Sequence, residues 1–225
     1  MLVINKSTLK LASYRCCALW LIALVAIGFI DKPLALYMHS AGWDQLIWLR
    51  HISRGLLQPL LILTMLILFA YELRPRLLGG VLLVAYFYAG LKLTLAIKVG
   101  LKIVFGRYWP NTWIKNNLSL IHDGVYGFNW WHGFGDQGSL PSGHAVLVIF
   151  CCTWLYLVMP RLRYLLASIA AVSILPMIIL NTHFLGDCLA GIGLGYWCAV
   201  MLAFIWQNVL RPYVYVIKVG KKSVN

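Results

Sequence analysis

The sequence predicts an all-α, polytopic membrane protein with six transmembrane helices in a bundle, in which residues 1–225 form one domain. Hydrophobic residues make up 62% of the 225 residues and charged residues only 11%, whereas a soluble domain carries about 25% charged residues. The apolar residues are gathered in six blocks, and many aromatic side chains, including several of the 10 Trp, flank them as interfacial belts do. These observations exclude an ordinary soluble domain.

Residues 16–30 form the predicted first span, which follows a basic N-terminal segment. Basic residues before an apolar run are also typical of a signal peptide, but no small-residue cleavage site follows, and five further apolar runs do. We therefore predict a retained span. Residues 31–55 are mixed in character, and residues 44–53 within them alternate apolar and polar side chains at helical spacing. This spacing predicts an amphipathic helix lying at the membrane interface.

Two more spans are predicted in the middle of the chain. The second covers residues 56–71, and the third begins at Leu77 and ends near Arg107. Lys98 and Lys102 are four residues apart and therefore share one helix face near the end of the third span. Cations inside a span are candidates for function, although snorkelling of their side chains to the interface explains them equally well.

Residues 108–140 form a long polar connection that is rich in aromatic residues, including Trp113, Trp130 and Trp131. Connections of this length are uncommon unless they are functional, so we predict an outer-face loop that rests on lipid headgroups or admits one as a lid. Three spans then complete the bundle. They cover residues 143–159, 164–182 and 188–210.

The distribution of Lys and Arg predicts the orientation of the bundle. Eleven of the 19 basic residues lie in short segments on one side, and by the positive-inside rule that side is cytoplasmic. Both termini are therefore expected in the cytoplasm, and all 6 His fall on the outer side. The eleven basic residues are Lys6, Lys10, Arg15, Arg74, Arg76, Arg161, Arg163, Arg211, Lys218, Lys221 and Lys222.

Net charge and cysteine content exclude two other classes of protein. The formal net charge is +13, but no basic stripe with interleaved aromatic residues is present, so no nucleic-acid partner is expected. The 6 Cys lie in apolar runs, as buried small hydrophobic residues do. They show neither the pattern of a disulfide framework nor a Cys/His metal spacing.

A polar turn, Pro141-Ser142-Gly143-His144, stands directly before the predicted fourth span. The start of a helix leaves backbone N–H groups unpaired, and together with the helix dipole these groups form a site for an anion. A histidine beside such a site suggests proton transfer to or from a phosphate-like group.

A second histidine has a carboxylate one helical turn away. If this segment is helical, Asp187 can orient His183 and make its other ring nitrogen a better nucleophile or base. Lys102 and Arg107, from the same membrane face, would stabilise the charge of a phosphoryl group in transfer. There are three alternatives. The histidines could simply be interfacial, His183 and Asp187 could be half of a metal site, or Ser142 could be a nucleophile. No further metal ligands and no GxSxG motif are evident, which argues against the last two.

With these residues the chain resembles the type 2 phosphatidic acid phosphatase superfamily, whose motifs read K-x6-R-P, P-S-G-H and S-R-x5-H-x3-D in this order. The resemblance covers about residues 77–195. Residues 141–144 match the second motif fully, and residues 183–191 are very similar to the end of the third. Lys102 and Pro110 stand at the lysine and the proline of the first motif.

This resemblance implies a phosphatase that needs no metal ion or other cofactor and that works through a phosphohistidine. His183 would attack phosphorus, Asp187 would orient His183, and His144 would protonate the leaving group. The residues expected to bind phosphate are Lys102, Arg107, Ser142 and Gly143.

Both arginines of the family motifs are replaced in this chain, by Trp109 in the first motif and by Met177 in the third. Losing a charged donor to the transition state can reduce the rate by about 10²–10³. Arg107, two residues before Trp109, is the expected substitute for one arginine, and Lys98 is a candidate for a second positive charge.

The resemblance implies a phosphatase that removes a phosphomonoester or pyrophosphate group from a lipid at the outer, periplasmic face of a bacterial inner (plasma) membrane. Its partners would be the lipid phosphate substrate and membrane lipids. Two alternatives remain: a lipid-to-lipid phosphotransferase that uses the same histidines, and a non-catalytic lipid-phosphate binder derived from the family. Trp109 and Met177 favour the binder, whereas the two histidines and Asp187 favour an enzyme.

Overall fold

The computed structural model of the chain describes residues 2–73, 77–112, 117–131 and 138–216. These residues are mostly helical, and the β-structure among them is limited to two isolated bridges. The all-α class is therefore confirmed. The helices are α1 (Lys6–Val25), α2 (Asp31–Ser40), α3 (Trp48–Gly55), α4 (Leu57–Leu73), α5 (Leu77–Phe105), α6 (Leu120–Asp123), α7 (Gly143–Val158), α8 (Arg163–Ile179), α9 (Leu185–Ile205) and α10 (Arg211–Val216).

Among the described residues, five helical segments are long and apolar enough to cross a membrane, which confirms a polytopic membrane protein. They are Lys6–Ser40, Trp48–Leu73, Leu77–Phe105, Pro160–Ile179 and Leu185–Val214.

The predicted fourth span corresponds to α7, which has only 16 residues. At about 1.5 Å per residue this helix is roughly 24 Å long, which is shorter than a hydrocarbon core of roughly 30 Å. The prediction that the bundle has six spans is therefore not confirmed and stays a prediction.

The amphipathic helix predicted from residues 44–53 corresponds to α3, Trp48–Gly55. The first helical segment is longer than predicted, since the first span was expected to end at residue 30. A π-helical segment, Ala26–Ile30, joins α1 to α2, so the first helix continues to Ser40. Asp31, the first residue of α2, is buried and forms an ion pair with Arg107. The amphipathic part is confined to α3, which exposes Trp48 and Ile52 and buries Ser53.

Helix α7 lies at the centre of the bundle and contacts α4, α5, α8 and α9. It is hydrophobic all round, as expected of a helix enclosed by protein, and Phe150 and Trp154 are fully buried in it. Phe87 of α5 packs against both rings, with centroid distances of 5.4 and 5.7 Å.

Two glycines of α9 allow it to approach α7 closely. A Cβ atom at Gly191 would lie 2.6 Å from the carbonyl oxygen of Ser142, and one at Gly195 would lie 2.5 Å from that of Val146. The small-xxx-small spacing of these glycines therefore serves packing between the two helices that carry the candidate histidine motifs.

The described part of the long connection folds back onto the segment that follows α5. Arg107 pairs with Phe128 and Trp109 with Ser119 in isolated bridges, and Ser139 N donates to Arg107 O at 2.9 Å. These backbone contacts fix the positions of Arg107 and Trp109, which follow α5. Trp113 and His132 of the connection lie outside the described residues, as do Arg74, Arg76, Lys218, Lys221 and Lys222 of the charge count.

Candidate active site

Helices α3, α5, α7 and α8 and the segment before α9 meet around a cavity of about 310 Å³ at one end of the bundle. Four of the predicted site residues line it: Lys102, Gly143, His144 and His183. The complete described lining is Arg50, Arg54, Lys98, Lys102, Trp109, Gly143, His144, Met177, Thr182 and His183. Residues that are far apart in the sequence are thus brought to one site.

The polar turn forms the N-terminus of α7. Ser142 Oγ accepts a hydrogen bond from Ala145 N at 3.4 Å and so caps the helix. The Ser142 side chain is fully buried and does not line the cavity, although a phosphate-binding role was expected for it. Gly143 does line the cavity, and the aliphatic stem of Lys98 packs against it, 3.1 Å from where a Cβ atom would stand.

His144 is held by α3. Its Nε2 atom lies 3.2 Å from Ser53 O and 3.1 Å from Ser53 Oγ, and that hydroxyl donates to Ser173 O of α8 at 2.6 Å. Because a carbonyl oxygen only accepts hydrogen bonds, we infer that Nε2 carries the proton in this contact. A buried serine of α3 therefore fixes both the orientation and the tautomer of His144.

His183 lies directly before α9, and its Nδ1 atom is 3.5 Å from Asp187 Oδ2. Asp187 is fully buried and also accepts a hydrogen bond from Phe184 N at 3.1 Å. On the side of α8, His183 N donates to Met177 O at 3.0 Å. The ring nitrogen on the far side from Asp187, Nε2, is therefore the one available for chemistry in the cavity.

Trp109 stands where the family motif has an arginine, and it lies between two site residues. Its ring is 5.0 Å from that of His183 by centroid distance, and Lys102 Nζ is 4.8 Å from its ring centroid. The indole therefore packs against the imidazole and attracts the ammonium group through its π-face. It supports these two side chains without supplying a positive charge of its own.

Arg107 was expected to bind phosphate, but the structure directs its guanidinium group away from the cavity. Nη1 lies 2.5 Å from Asp187 Oδ1, Nη2 lies 2.8 Å from Asp31 Oδ2, and the side chain is 1% exposed. Burial alone would lower the pKa of Arg107, but the carboxylates of Asp187 and Asp31 outweigh it and raise the pKa above its ordinary value. Arg107 is therefore a permanent cation behind the Asp187 carboxylate.

Asp31 completes this buried ion network, and no functional role was expected for it. Its carboxylate accepts from Arg107 and from Gly186 N, the latter at 3.0 Å. Gly186 permits this approach, because a Cβ atom there would lie 2.7 Å from Asp31 Oδ2. The first helix thus reaches the start of α9, one residue before Asp187.

Arg50 and Arg54 of α3 are the other site residues that sequence reasoning missed. Both line the cavity together with Lys98 and Lys102 of α5. Their spacing of four residues in an amphipathic helix was the available signal, since it puts two cations on one face. No group of three or more His, Cys, Asp or Glu side chains is arranged to hold a metal ion in the part of the chain that the structure describes.

The fold and the site together define the class of protein. It is a helical integral membrane protein whose cavity combines two histidines, one of them backed by a buried carboxylate, with four cationic side chains. The sequence profile described as the PAP2 superfamily matches residues 80–211, and the chain belongs to this superfamily. The resemblance read from the motifs is confirmed.

A solved structure has a similar fold. It is described as the crystal structure of the first transmembrane PAP2 type phosphatidylglycerolphosphate phosphatase from Bacillus subtilis, and it matches with a TM-score of 0.53 and 17% sequence identity. The match covers 87% of this chain and 98% of that one, and at this identity it shows the fold alone. A search of curated proteins finds no match to this sequence.

Proposed function

We propose that this protein is a lipid phosphatase that removes a phosphomonoester or pyrophosphate group from a membrane lipid through a phosphohistidine, without a metal ion. One observation carries the proposal: His183 and His144 line one cavity with Lys102, while Asp187 is buried behind His183. Membership of the PAP2 superfamily supports phosphatase chemistry in general.

In the first step, Nε2 of His183 attacks phosphorus. A bond forms between His183 Nε2 and phosphorus, and the bond between phosphorus and the lipid oxygen breaks. His144 begins the step as the cation, keeps its Nε2–H on Ser53, and gives its Nδ1 proton to the leaving oxygen. Asp187 stabilises the positive charge that develops on the His183 ring. Lys102 and the Gly143 N–H, at the start of α7, stabilise the phosphate oxygens in the transition state.

In the second step, water attacks the phosphohistidine. His144, now neutral, takes a proton from this water, the bond between nitrogen and phosphorus breaks, and inorganic phosphate leaves. The permanent charge of Arg107 keeps Asp187 ionised through both steps, so that His183 keeps its orientation.

We place the site at the outer face of a bacterial inner membrane, with both termini in the cytoplasm. The support is the arrangement of charge along the bundle. His144 starts α7 at the end with the cavity, while Arg161 and Arg163 follow the opposite end of the same helix. Basic residues in a short turn are typical of the cytoplasmic side.

A non-catalytic lipid-phosphate binder is the second candidate, because Trp109 and Met177, which replace the family arginines, both line the cavity. A lipid-to-lipid phosphotransferase would use the same first step and differ only in what attacks the phosphohistidine. Labelled lipid separates all three functions. Free labelled phosphate indicates a phosphatase, labelled acceptor lipid a transferase, and binding without a phosphohistidine a binder.

The decisive experiment measures phosphate release in detergent micelles with EDTA present, from phosphatidic acid, phosphatidylglycerol phosphate, undecaprenyl pyrophosphate and lipid A phosphates. We expect release by the parent protein and a loss of at least about 10³-fold in His183→Ala and His144→Ala. His122→Ala is the matched control, because that side chain is 75% exposed. Equal activity of the parent and both site variants would refute the mechanism.

A further inference from the structure

The turn between α8 and α9 carries His183, and one of its residues has a left-handed backbone. Asn181 directly follows the C-cap of α8 and has a φ angle of 52°, which few residues other than glycine adopt. Its N–H donates to Ile178 O at 3.1 Å, and Thr182 N donates to Met177 O at 3.0 Å. These two bonds around a left-handed residue form a Schellman motif, in which glycine is usual and asparagine only occasional. A side chain at this position therefore indicates a use for it.

The side chain of Asn181 ties the turn to α2. It is 1% exposed, and its amide Nδ2 donates to Ala35 O at 3.0 Å. Ala35 is itself buried and packs in one apolar cluster with Phe184, the residue that directly follows His183. A buried amide that donates to a backbone oxygen fixes the turn relative to α2, because breaking this bond would leave buried polar groups without compensation.

Helix α2 therefore holds the chain on both sides of His183. Asn181 lies two residues before the histidine, and Gly186, whose N–H donates to Asp31 Oδ1 at 3.0 Å, lies three residues after it. The backbone N–H of His183 also donates to Met177 O at 3.0 Å, which links it to α8. The backbone of the histidine is thereby fixed between α2 and α8.

The orientation of the His183 ring depends on the position of this turn. Its Nδ1 atom lies 3.5 Å from Asp187 Oδ2, which is longer than the roughly 2.7–3.2 Å of a usual N–H···O bond. A contact that is already long is lost after a small displacement. A shift of the turn would therefore separate the imidazole from the carboxylate that orients it.

We propose that Asn181 is a positioning residue for the nucleophile: its left-handed backbone and its bond to Ala35 O place His183 so that Nε2 faces the cavity. This inference rests on the proposed function, in which His183 attacks phosphorus. The next two residues, Thr182 and His183, line the cavity, whereas Asn181 does not. Asn181 therefore acts through the histidine and not on the substrate.

The variant Asn181→Gly separates the two parts of this role, because glycine keeps the left-handed backbone and removes the amide. The lost bond and the relieved backbone oppose each other, so Tm should change by less than about 4 °C. We expect kcat to fall about 10-fold or more, because a displacement of about 1 Å at a reacting group can lower the rate by roughly 10²-fold. KM should change less than about threefold, since Asn181 does not line the cavity.

Two further variants accompany this test. Asn181→Asp keeps the shape and puts a carboxylate oxygen in place of the donor, so kcat should fall at least as far as in the glycine variant. Asn208→Gly is the matched control at the other end of α9, where the amide Nδ2 donates to Ile4 O at 3.0 Å. Glycine weakens a helical segment, so this control should lower Tm but leave kcat unchanged. Parental kcat in Asn181→Gly would show that the turn needs only a left-handed residue, and would overturn the positioning role.

A labelling measurement separates failure of this inference from failure of the proposed function. Diethyl pyrocarbonate modifies imidazole nitrogens, and mass spectrometry of the peptides gives the rate at each histidine. His183 is 8% exposed in the parent. We expect Asn181→Gly to raise the rate at His183 by about threefold or more, because a released turn opens to solvent more often, and to leave the rate at the exposed His122 unchanged. A raised rate at His183 supports the inference even if the parent hydrolyses no lipid, and an unchanged rate overturns it even if phosphate is released.

Discussion

The buried ion network predicts that Asp31, which does not line the cavity, positions the catalytic machinery. The perturbation is Asp31→Asn, which keeps the size of the side chain and removes one of the two carboxylates that pair with Arg107. In the parent, Asp31 accepts from Arg107 Nη2 at 2.8 Å and from Gly186 N at 3.0 Å. The amide oxygen of asparagine can accept one of these bonds, but without the charge.

The expected loss of stability is about 2 kcal/mol. One buried charge-assisted hydrogen bond contributes roughly 1.5–3 kcal/mol, and the remaining pair of Arg107 with Asp187 prevents the larger loss that follows a fully broken buried pair. For a chain of 225 residues this corresponds to a fall in Tm of about 4–8 °C. Differential scanning fluorimetry in detergent measures it.

The expected loss of activity lies in kcat. Without Asp31, Asp187 is the one described carboxylate left on the Arg107 guanidinium, which keeps its bond to Tyr126 Oη at 3.1 Å. We expect the guanidinium to shift and to draw the Asp187 carboxylate away from His183. A shift of about 1 Å at a reacting group can lower the rate by roughly 10²-fold, so we expect kcat to fall by about 10- to 100-fold. KM should change less than about threefold, because Asp31 makes no contact in the cavity.

Asp44→Asn is the matched control, since Asp44 pairs with His39, a half-exposed residue at the end of α2, and should leave kcat unchanged. The combined variant Asp31→Asn/Arg107→Gln should lose less than the sum of the two single variants, because the two side chains are in direct contact. A fall in Tm with kcat unchanged would show that Asp31 only stabilises the fold, and would refute the positioning role.

Two further predictions concern the contacts that hold α7. Ser53→Ala removes the hydroxyl that lies 3.1 Å from His144 Nε2, so kcat should fall about 3- to 10-fold. Ser40→Ala, the control at an exposed serine, should leave kcat unchanged. Equal kinetics in both variants would contradict the role of α3 in holding His144. Gly191→Ala places a methyl group 2.6 Å from a backbone oxygen and should destabilise the protein by about 1–3 kcal/mol, while Gly100→Ala, which meets nothing within 4 Å, should not. Equal thermal stability of the two glycine variants would show that α7 and α9 separate easily.

The sequence was sufficient for those features whose signal is local. The apolar blocks predict the helical class and most of the spans, because each block must bury its own length in lipid. Pro141 to His144 and the spacing of His183 and Asp187 predict the histidine pair, because each motif lies within one turn of chain. The position of Lys102 near the end of an apolar helix likewise predicts a cation at the site.

The remaining residues depend on tertiary contacts between distant parts of the chain. Arg107 was expected to face phosphate, but its partners Asp31 and Asp187 are 76 and 80 residues away in the sequence. Arg50 and Arg54 fit an interfacial helix whichever way their face is turned, since a cation can contact lipid headgroups or line a cavity. Only the packing of α3 on α8 decides between these two environments.

The backbone bond from Ser142 N to Asp187 O, at 3.0 Å, joins the two histidine motifs directly. The chain between them is a hairpin of α7 and α8 that turns at Pro160–Leu162, at the opposite end of the molecule. Residues inserted at that turn would extend the hairpin away from the site and leave the two histidines in register. The geometry of the candidate site is therefore insulated from changes in the length of this turn.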